Sequence, residues 1–170
     1  ESLLEKAPFG MALLDENFSF KYVNLKFKEL FGYDPDEVLN ERRWLRKAFP
    51  GHADRHTAIK DWFDVIKALG TGERSPRVYT VAGKDGVPKT VRFVSVKLEN
   101  GEHLITCEDI TQRRRVEIEL HKQALFLQRL IDNIPSPIYY KDVNGIYLGC
   151  NKAYEALMGR NKNDIVGKSI

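Results

Sequence analysis

The spacing of apolar and polar positions predicts two strands and a helix near the start of the chain. An apolar run over residues 11–14 stops at the polar turn Asp15-Glu16-Asn17, and aromatic and β-branched residues resume over 18–23, which predicts a β-hairpin. Asn24 suits a helix N-cap, and Gly32 suits the end of that helix. Four apolar side chains between them share one helical face: Leu25, Phe27, Leu30 and Phe31.

Helical spacing continues through residues 36–72. Apolar side chains recur at helix-like steps in its first part: Val38, Trp44, Leu45 and Phe49. Pro50-Gly51 breaks the pattern, and residues 58–69 then show the periodicity of an amphipathic helix. The apolar face of that helix comprises Ile59, Trp62, Phe63, Ile66 and Leu69.

Three strand-like runs follow, over residues 77–82, 89–98 and 102–107. The segments between them, Gly83-Lys84-Asp85-Gly86 and Glu99-Asn100-Gly101, have the composition of good hairpin turns. In the second run both alternations carry apolar residues, so its inward face stays open. Two strands, several helices and three strands predict an α+β fold, with a five-stranded antiparallel sheet and the helices on one face.

The start of the chain recurs near its end at a constant offset of 127 residues. Seven identical pairs occur without a gap: Leu3 with Leu130, Pro8 with Pro135, Asp15 with Asp142, Asn17 with Asn144, Asn24 with Asn151, Leu30 with Leu157, and Gly32 with Gly159. A second strand–strand–helix unit is therefore predicted. A hairpin with one helix cannot bury its apolar face alone, so we expect that face to pack on the first domain or on a partner chain.

The segment between the copies predicts a helix with a coiled-coil seam. Apolar residues alternate at four- and three-residue steps if Gln123 fills one position: Val116, Leu120, Leu127, Leu130 and Ile134. About three heptads of this kind favour a parallel two-stranded coil, which would make the protein a homodimer. The alternative is that the stripe of a short helix packs on the sheet of its own domain.

Composition narrows the class of protein. With 42% hydrophobic and 30% charged residues, the chain has the balance of a soluble globular protein. No apolar run approaches the roughly 18 residues of a membrane span. The net charge of +3 is small, and Arg113-Arg114-Arg115 is followed at once by Glu117 and Glu119, so we expect no nucleic-acid partner.

The termini and cysteines indicate a cytoplasmic piece of a longer protein. The chain begins Glu1-Ser2-Leu3, without an initiator Met or the pattern of a signal peptide. Cys107 and Cys150 lie far apart without CxxC spacing, so we expect half-buried structural residues in a reducing compartment.

Several of these segments resemble the PAS family. The second copy carries the strongest form, with Asn133-Ile134-Pro135-Ser136-Pro137-Ile138 followed by Lys141-Asp142-Val143-Asn144-Gly145. Glu108-Asp109-Ile110-Thr111 is similar to the boundary that closes many PAS domains and starts the helix to the next module. The resemblance implies three parts: a PAS domain over residues 1–110, a helical connector over 111–133, and the N-terminal part of a second, truncated PAS domain over 134–170.

The resemblance also implies how such a chain signals. In multidomain sensor histidine kinases and diguanylate cyclases of this kind, such helices join sensor to output in a dimer, which favours a homodimer with a covalently linked output domain. Asp109 or Thr111 can accept hydrogen bonds from the free N–H groups that open the helix, and we expect both residues to relay the signal.

PAS domains bind haem, flavin, small metabolites or no ligand at all. Each of these ligands is therefore expected only if the sequence contains residues suited to bind it. His52 and His56 are candidate haem or metal ligands by location, but a solvated helix start explains them better. His103 and His121 are expected to be exposed. The absence of Cys between Glu1 and Thr106 disfavours the photochemical flavin subclass. We therefore predict no cofactor, with an unknown small molecule left open.

Two functions remain after these exclusions. The sequence has no nucleotide-binding, nucleophile-elbow or HExxH motif, so we expect no enzymatic activity. Five large rings are the best prediction of a pocket: Trp44, Trp62, Phe63, Tyr79 and Phe93. If they enclose a ligand, the chain is a sensory module; if they simply fill the core, it is a structural dimerisation module without a ligand.

Overall fold

The protein is described by a computed structural model in four segments: residues 2–34, 37, 41–49 and 52–169. The chain divides into two compact units, Glu1–Arg114 and Arg115–Ile170. Val38, the predicted break at Pro50-Gly51 and the side chain of His52 lie outside the described part.

Helices and strands follow the predicted order. The elements up to the connector are α1 (Ser2–Glu5), β1 (Gly10–Leu14), β2 (Phe20–Val23), α2 (Leu25–Phe31), α3 (Glu41–Ala48), α4 (His52–Ala68), β3 (Arg74–Ala82), β4 (Pro88–Lys97) and β5 (His103–Asp109). The elements that follow are α5 (Thr111–Asp132), β6 (Tyr139–Lys141), β7 (Tyr147–Cys150), α6 (Lys152–Met158) and α7 (Lys162–Ile165).

The first unit contains a five-stranded sheet in the order β2-β1-β5-β4-β3. All neighbouring strands are antiparallel, and β5 lies at the centre between β1 and β4. This confirms the predicted α+β arrangement. The last strand of this sheet in sequence thus lies at its centre, and the helix that follows it starts beside β4.

The core lies on one face of this sheet. In β4 the side chains of Val91, Phe93 and Ser95 are buried, which settles the alternation that the sequence left open. In β5 the buried positions alternate in the same way. Helices α2, α3 and α4 supply the other half of the core with Phe27, Phe31, Trp44, Leu45, Trp62 and Ile66.

The second unit has a small core of its own. Strands β6 and β7 form a separate antiparallel sheet, and Tyr147, Cys150, Tyr154 and Ile165 are buried together. The expectation that a unit of this size cannot bury an apolar face alone is therefore wrong for these four side chains. Leu148 and Leu157 remain exposed. Packing against another surface is therefore expected only for exposed apolar side chains of this kind.

The connector helix ends earlier than the heptad pattern predicted. α5 ends at Asp132, so Ile134 is not on the helix and its assignment to the coiled-coil seam is wrong. Pro135 explains this, because a residue before proline is disfavoured in the helical conformation.

The other four predicted seam residues, Val116, Leu120, Leu127 and Leu130, carry exposed side chains on α5. No described side chain of this helix is buried, and Leu120 and Leu127 are 61% and 60% exposed. Three further apolar side chains outside the predicted seam are also exposed: Ile118, Leu125 and Phe126.

Candidate functional site

Four of the five rings predicted to line a pocket pack against one another. The ring centroids of Trp44 and Trp62 are 6.4 Å apart, those of Trp62 and Phe93 5.0 Å, and those of Tyr79 and Phe93 6.2 Å. These are the separations of aromatic rings in direct contact. Both tryptophans are 2% exposed. The rings therefore occupy this part of the core themselves.

Polar atoms at the margin of the aromatic cluster differ in their partners. Tyr79 donates its hydroxyl to Oδ2 of Asp61 at 2.7 Å, and burial together with this hydrogen bond raises the pKa of Tyr79. Nε1 of Trp44 has no hydrogen-bond partner among the described residues. Phe63 lies at the edge of the cluster, where its ring meets that of Phe18 at 5.5 Å.

The boundary between β5 and α5 is held by both predicted relay residues. Asp109 Oδ1 accepts a hydrogen bond from the N–H of Thr111 at 2.9 Å, the first residue of the helix. The Oγ1 of Thr111 accepts from the N–H of Thr90 on β4 at 2.8 Å, and the N–H of Ile110 donates to the carbonyl of Thr90 at 2.9 Å. The predicted partner of the Thr111 hydroxyl was an N–H group at the start of its own helix. In the structure this hydroxyl instead accepts from the neighbouring strand β4. The start of α5 is joined to two central strands.

Asn24 joins three segments of the first unit. Its Oδ1 accepts from the N–H of Phe27 at 3.0 Å, which is the predicted helix cap, and from the N–H of Met11 at 2.8 Å. Its Nδ2 donates to the carbonyls of Leu4 and Phe9, both at 3.0 Å. The residue is fully buried, and each of its amide atoms has two partners.

Asn151 repeats this network in the second unit at the offset of the sequence repeat. Its Oδ1 accepts from the N–H groups of Tyr154 and Ile138 at 3.0 and 2.9 Å. Its Nδ2 donates to the carbonyls of Ile131 and Ser136 at 3.0 and 2.9 Å. Ile131 belongs to the last turn of α5, so the asparagine bonds the end of the connector helix to the second unit.

An acidic residue completes the junction in each unit. Glu5 accepts from the N–H of Leu25 at 2.8 Å, and Asp132 accepts from the N–H of Lys152 at 3.1 Å. A hydrogen bond from the hydroxyl of Tyr22 and the one from Leu25 lower the pKa of the Glu5 carboxyl. The last residue of α5 is therefore bonded to the first turn of α6.

A second group of side chains surrounds a cavity of about 330 Å³ in the first unit, which we call the Phe18 cavity. The β1–β2 turn, the end of α4 and the β4–β5 turn supply its lining: Glu16, Phe18, Ile66, Lys67, Lys97, Gly101 and His103. Within the described part of the chain, neither Lys67 nor Lys97 forms an ion pair.

His103 is buried in this cavity wall, and the expectation that it is exposed is wrong. It is 5% exposed because it shares the inward face of β5 with Ile105 and Cys107, and because the ring of Phe18 stacks on it at 5.1 Å. Its Nδ1 has no hydrogen-bond partner among the residues described. Burial and the nearby charge of Lys97 lower the pKa of the imidazole.

Acidification should therefore destabilise the first unit through His103. The unfolded chain takes up the proton near pH 6.5 and the folded unit only at lower pH, so stability is full above about pH 6.5 and falls as the pH drops through the folded pKa. Both tryptophans, Trp44 and Trp62, lie in this unit, so their fluorescence reports its unfolding alone. His103→Phe should flatten the dependence of the unfolding free energy between about pH 7.5 and 5.5, by roughly 1.4 kcal/mol for each unit of pKa lowering.

The control for this measurement is His121→Phe on the exposed face of α5. It should keep the wild-type pH dependence in urea titrations followed by tryptophan fluorescence. An unchanged pH dependence in His103→Phe would show that this imidazole is not the group responsible.

Phe18 itself holds a strained backbone conformation. Its φ of 61° lies in the left-handed region, which costs a bulky residue roughly 1–3 kcal/mol. The equivalent residue of the second unit is Gly145, with φ of 79°. Both turns close with the same hydrogen bond, from Phe18 N–H to Asp15 O at 3.0 Å and from Gly145 N–H to Asp142 O at 3.1 Å. The first unit thus keeps an aromatic ring where its own repeat uses glycine.

A larger, mostly basic cleft of about 740 Å³ runs along α4 next to α3. Its lining residues are Arg46, Arg55, His56, Ile59, Lys60, Phe63, Asp64 and Lys67. His56 is exposed here, whereas the side chain of its predicted companion His52 lies outside the described part.

Other expected features can be checked only where the chain is described. There, no group of three His, Cys, Asp or Glu side chains is placed to hold a metal ion. Cys107 and Cys150 are fully buried rather than half-buried, and burial raises the pKa of the Cys150 thiol. Of the described helices, none is both long enough and apolar enough to cross a bilayer.

The grouping of Phe18, Lys67, Lys97 and His103 was not predicted from the sequence. These residues come from three distant segments, so no local pattern connects them. One signal was available: the ungapped repeat places Phe18 opposite Gly145, a mismatch at a turn position.

Comparison with known families identifies both copies of the repeat. Residues 1–67 match the family described as PAS domain, and residues 125–170 match the family described as PAS fold. The chain belongs to the PAS family and carries two PAS segments. PAS domains are sensory modules that are not catalytic themselves.

The matched curated relatives are much longer sensor proteins. Over 61 residues the chain is 43% identical to the virulence sensor protein BvgS of Bordetella pertussis. This matched stretch covers 36% of this chain and 5% of that protein. The same values hold for BvgS of Bordetella bronchiseptica. The match thus spans about a twentieth of the length of these relatives.

Solved structures support the fold. An RNA-binding light-oxygen-voltage receptor superposes with a TM-score of 0.56 and 21% identity, covering 74% of this chain and 36% of that chain. The N-terminal domain of a diguanylate cyclase with a PAS/PAC sensor from Marinobacter aquaeolei gives a TM-score of 0.52 and 14% identity, with coverages of 62% and 98%. A domain of a sensor histidine kinase/response regulator from Geobacter sulfurreducens gives 0.50 and 24%, with coverages of 64% and 89%.

Proposed function

We propose that the chain is a non-catalytic signalling module that passes a conformational change through α5 to a covalently linked output domain. The observation that supports this most directly is that hydrogen bonds hold both ends of α5. At its start, Thr111 and Asp109 bond the helix to β4 and β5. At its end, Asn151 and Asp132 bond it to the second PAS unit. A displacement of the central strands would therefore reach the helix, and a displacement of the helix would reach the second unit.

The names of similar proteins agree with such a role. BvgS is called a virulence sensor protein, and structures of similar fold come from a sensor histidine kinase/response regulator and a diguanylate cyclase. The proposed output is therefore a kinase or cyclase domain elsewhere in the full-length protein. A cytoplasmic location belongs to the same proposal, and the wide separation of the two cysteines in the sequence, without CxxC spacing, favours it.

A homodimer formed through α5 is the second part of the proposal. Four seam residues carry exposed apolar side chains on the helix: Val116, Leu120, Leu127 and Leu130. A row of this kind at heptad spacing gains free energy when a second copy covers it. Pairing would also let the two helices transmit a rotation or shift together.

A purely structural dimerisation module is the second candidate function. The packing of Trp44, Trp62 and Phe93 favours it, because these rings fill the space that a core ligand would occupy. The same packing argues against a ligand held by the five predicted pocket residues.

The relay is tested by removing a hydrogen bond at the start of α5 and measuring amide hydrogen exchange beyond its end. Thr111→Val keeps the shape of the side chain but removes the acceptor for the Thr90 N–H, a loss of about 1 kcal/mol. If α5 relays, amide hydrogen exchange should accelerate about fivefold at three reporters in the second unit. These are the N–H groups of Ile138 and Tyr154, which donate to Asn151, and the N–H group of Lys152, which donates to Asp132.

Thr80→Val is the matched control, because Thr80 is exposed on β3 and valine suits a strand. It should leave the three reporters at wild-type rates. If Thr111→Val accelerates exchange only around Thr90 and Ile110, the two ends of α5 are uncoupled and the relay is excluded.

A further inference from the structure

The Phe18 cavity combines features that the relay does not use. Lys67 and Lys97 bring two positive charges to it without ion-pair partners in the described chain. His103 presents a buried imidazole whose Nδ1 lacks a partner in the same part of the structure. Phe18 keeps a strained backbone that its repeat avoids with glycine. Strain and unpaired buried polar atoms persist at sites where they serve binding.

We propose that the Phe18 cavity binds a small organic monocarboxylate with an apolar body. Lys67 and Lys97 hold the carboxylate, while the rings of Phe18 and His103 and the side chain of Ile66 contact the apolar body. The cavity of about 330 Å³ is at the lower end of the roughly 300–1,000 Å³ of small-molecule sites, so the ligand is of metabolite size.

The charge balance of the cavity selects one carboxylate. Two ammonium groups and the carboxylate of Glu16 leave one net positive charge when His103 is neutral. A monoanion neutralises it, whereas a dianion leaves an excess negative charge and a cation meets repulsion from both lysines. Glu16 is exposed, and its side chain lies against Gly101 in the lining of the cavity.

Occupancy of this cavity would reach the core through Phe18. Its ring centroid lies 5.5 Å from that of Phe63 on α4 and 5.1 Å from that of His103. His103 is the first residue of β5, the strand that ends at Asp109. This inference goes beyond the relay and does not depend on it. Loss of binding would leave the hydrogen bonds at both ends of α5 unchanged.

The test follows the imidazole resonances of the 170-residue chain by NMR during titration with sodium benzoate, sodium hexanoate and sodium acetate. The His103 signal is assigned by its loss in His103→Gln. Benzoate and hexanoate should shift it saturably at neutral pH, and acetate, which lacks the apolar body, should bind at least tenfold more weakly. Benzamide, the neutral match of benzoate, should also bind at least tenfold more weakly.

Variants then locate the site. Lys97→Met should weaken benzoate binding at least tenfold, and Lys60→Met, which removes the same charge from α4 in the basic cleft, should not. Phe18→Gly adopts the residue of the second unit and removes one wall, so it should fold and lose most of the preference for benzoate over acetate. The proposal is overturned if none of the three carboxylates saturates the His103 shift, or if Lys60→Met abolishes binding while Lys97→Met does not.

Discussion

Replacing Leu120 and Leu127 with glutamate should convert the protein from a dimer into a monomer. Both side chains are more than half exposed in the single chain and occupy equivalent seam positions one heptad apart. Burying a leucine gains about 1.5–3 kcal/mol, and glutamates in a paired seam also repel each other. The dissociation constant should therefore rise at least about a hundredfold. Sedimentation velocity over a concentration series measures it.

Ile118 and Leu125 provide a matched control. They are also seven residues apart and exposed, but each lies two residues from a seam position, about 200° around the helix. Glutamate at these two positions adds the same charge and removes similar apolar surface, yet should leave the dimer intact. Dissociation by this pair alone would show that the seam is on the other face, and a wild-type monomer at high micromolar concentration would exclude the coil.

The sequence predicted the parts of the fold that depend on local patterns. Both hairpin turns of the three-strand segment and the caps at Asn24 and Gly32 lie where propensity and periodicity place them. The repeat was informative for the same reason, since its identities fall on residues that set local backbone geometry. Even the error at Ile134 was local, because Pro135 carried the signal that ends the helix.

Long-range contacts account for what the sequence did not predict. His103 follows a polar turn and looked exposed, but Phe18 covers it from a turn far away in the sequence. Composition likewise could not tell a lined pocket from a filled core for Trp44, Trp62 and Phe93, because that depends on how closely the rings approach. The asparagine caps were predicted, whereas their bonds to Leu4 and Ile131 across the fold were not.

These bonds make Asn24 the most sensitive polar position that we predict in the first unit. Asn24→Ala should lower the free energy of unfolding by about 3 to 5 kcal/mol. The substitution leaves two N–H groups and two carbonyls without their partner, and the residue is fully buried. A lost helix cap alone costs only about 1 kcal/mol. Urea denaturation followed by tryptophan fluorescence distinguishes the two magnitudes, and Asn17→Ala in the exposed turn should change little.

Asn24→Asp separates the cap from the network more sharply. Aspartate caps helices as well as asparagine does, so a capping role alone predicts wild-type stability. In this structure the replaced Nδ2 donates to the carbonyls of Leu4 and Phe9, and a carboxylate oxygen there would face two other oxygens without a proton to share. Asn24→Asp should therefore be nearly as unstable as Asn24→Ala at neutral pH, and should recover part of the loss as the pH falls and the carboxyl takes up a proton. Wild-type stability of this variant would contradict the network. The parallel change Asn151→Asp should leave the tryptophan transition in place, because both tryptophans lie in the first unit, and should instead expose the Ile138 and Tyr154 amides to exchange.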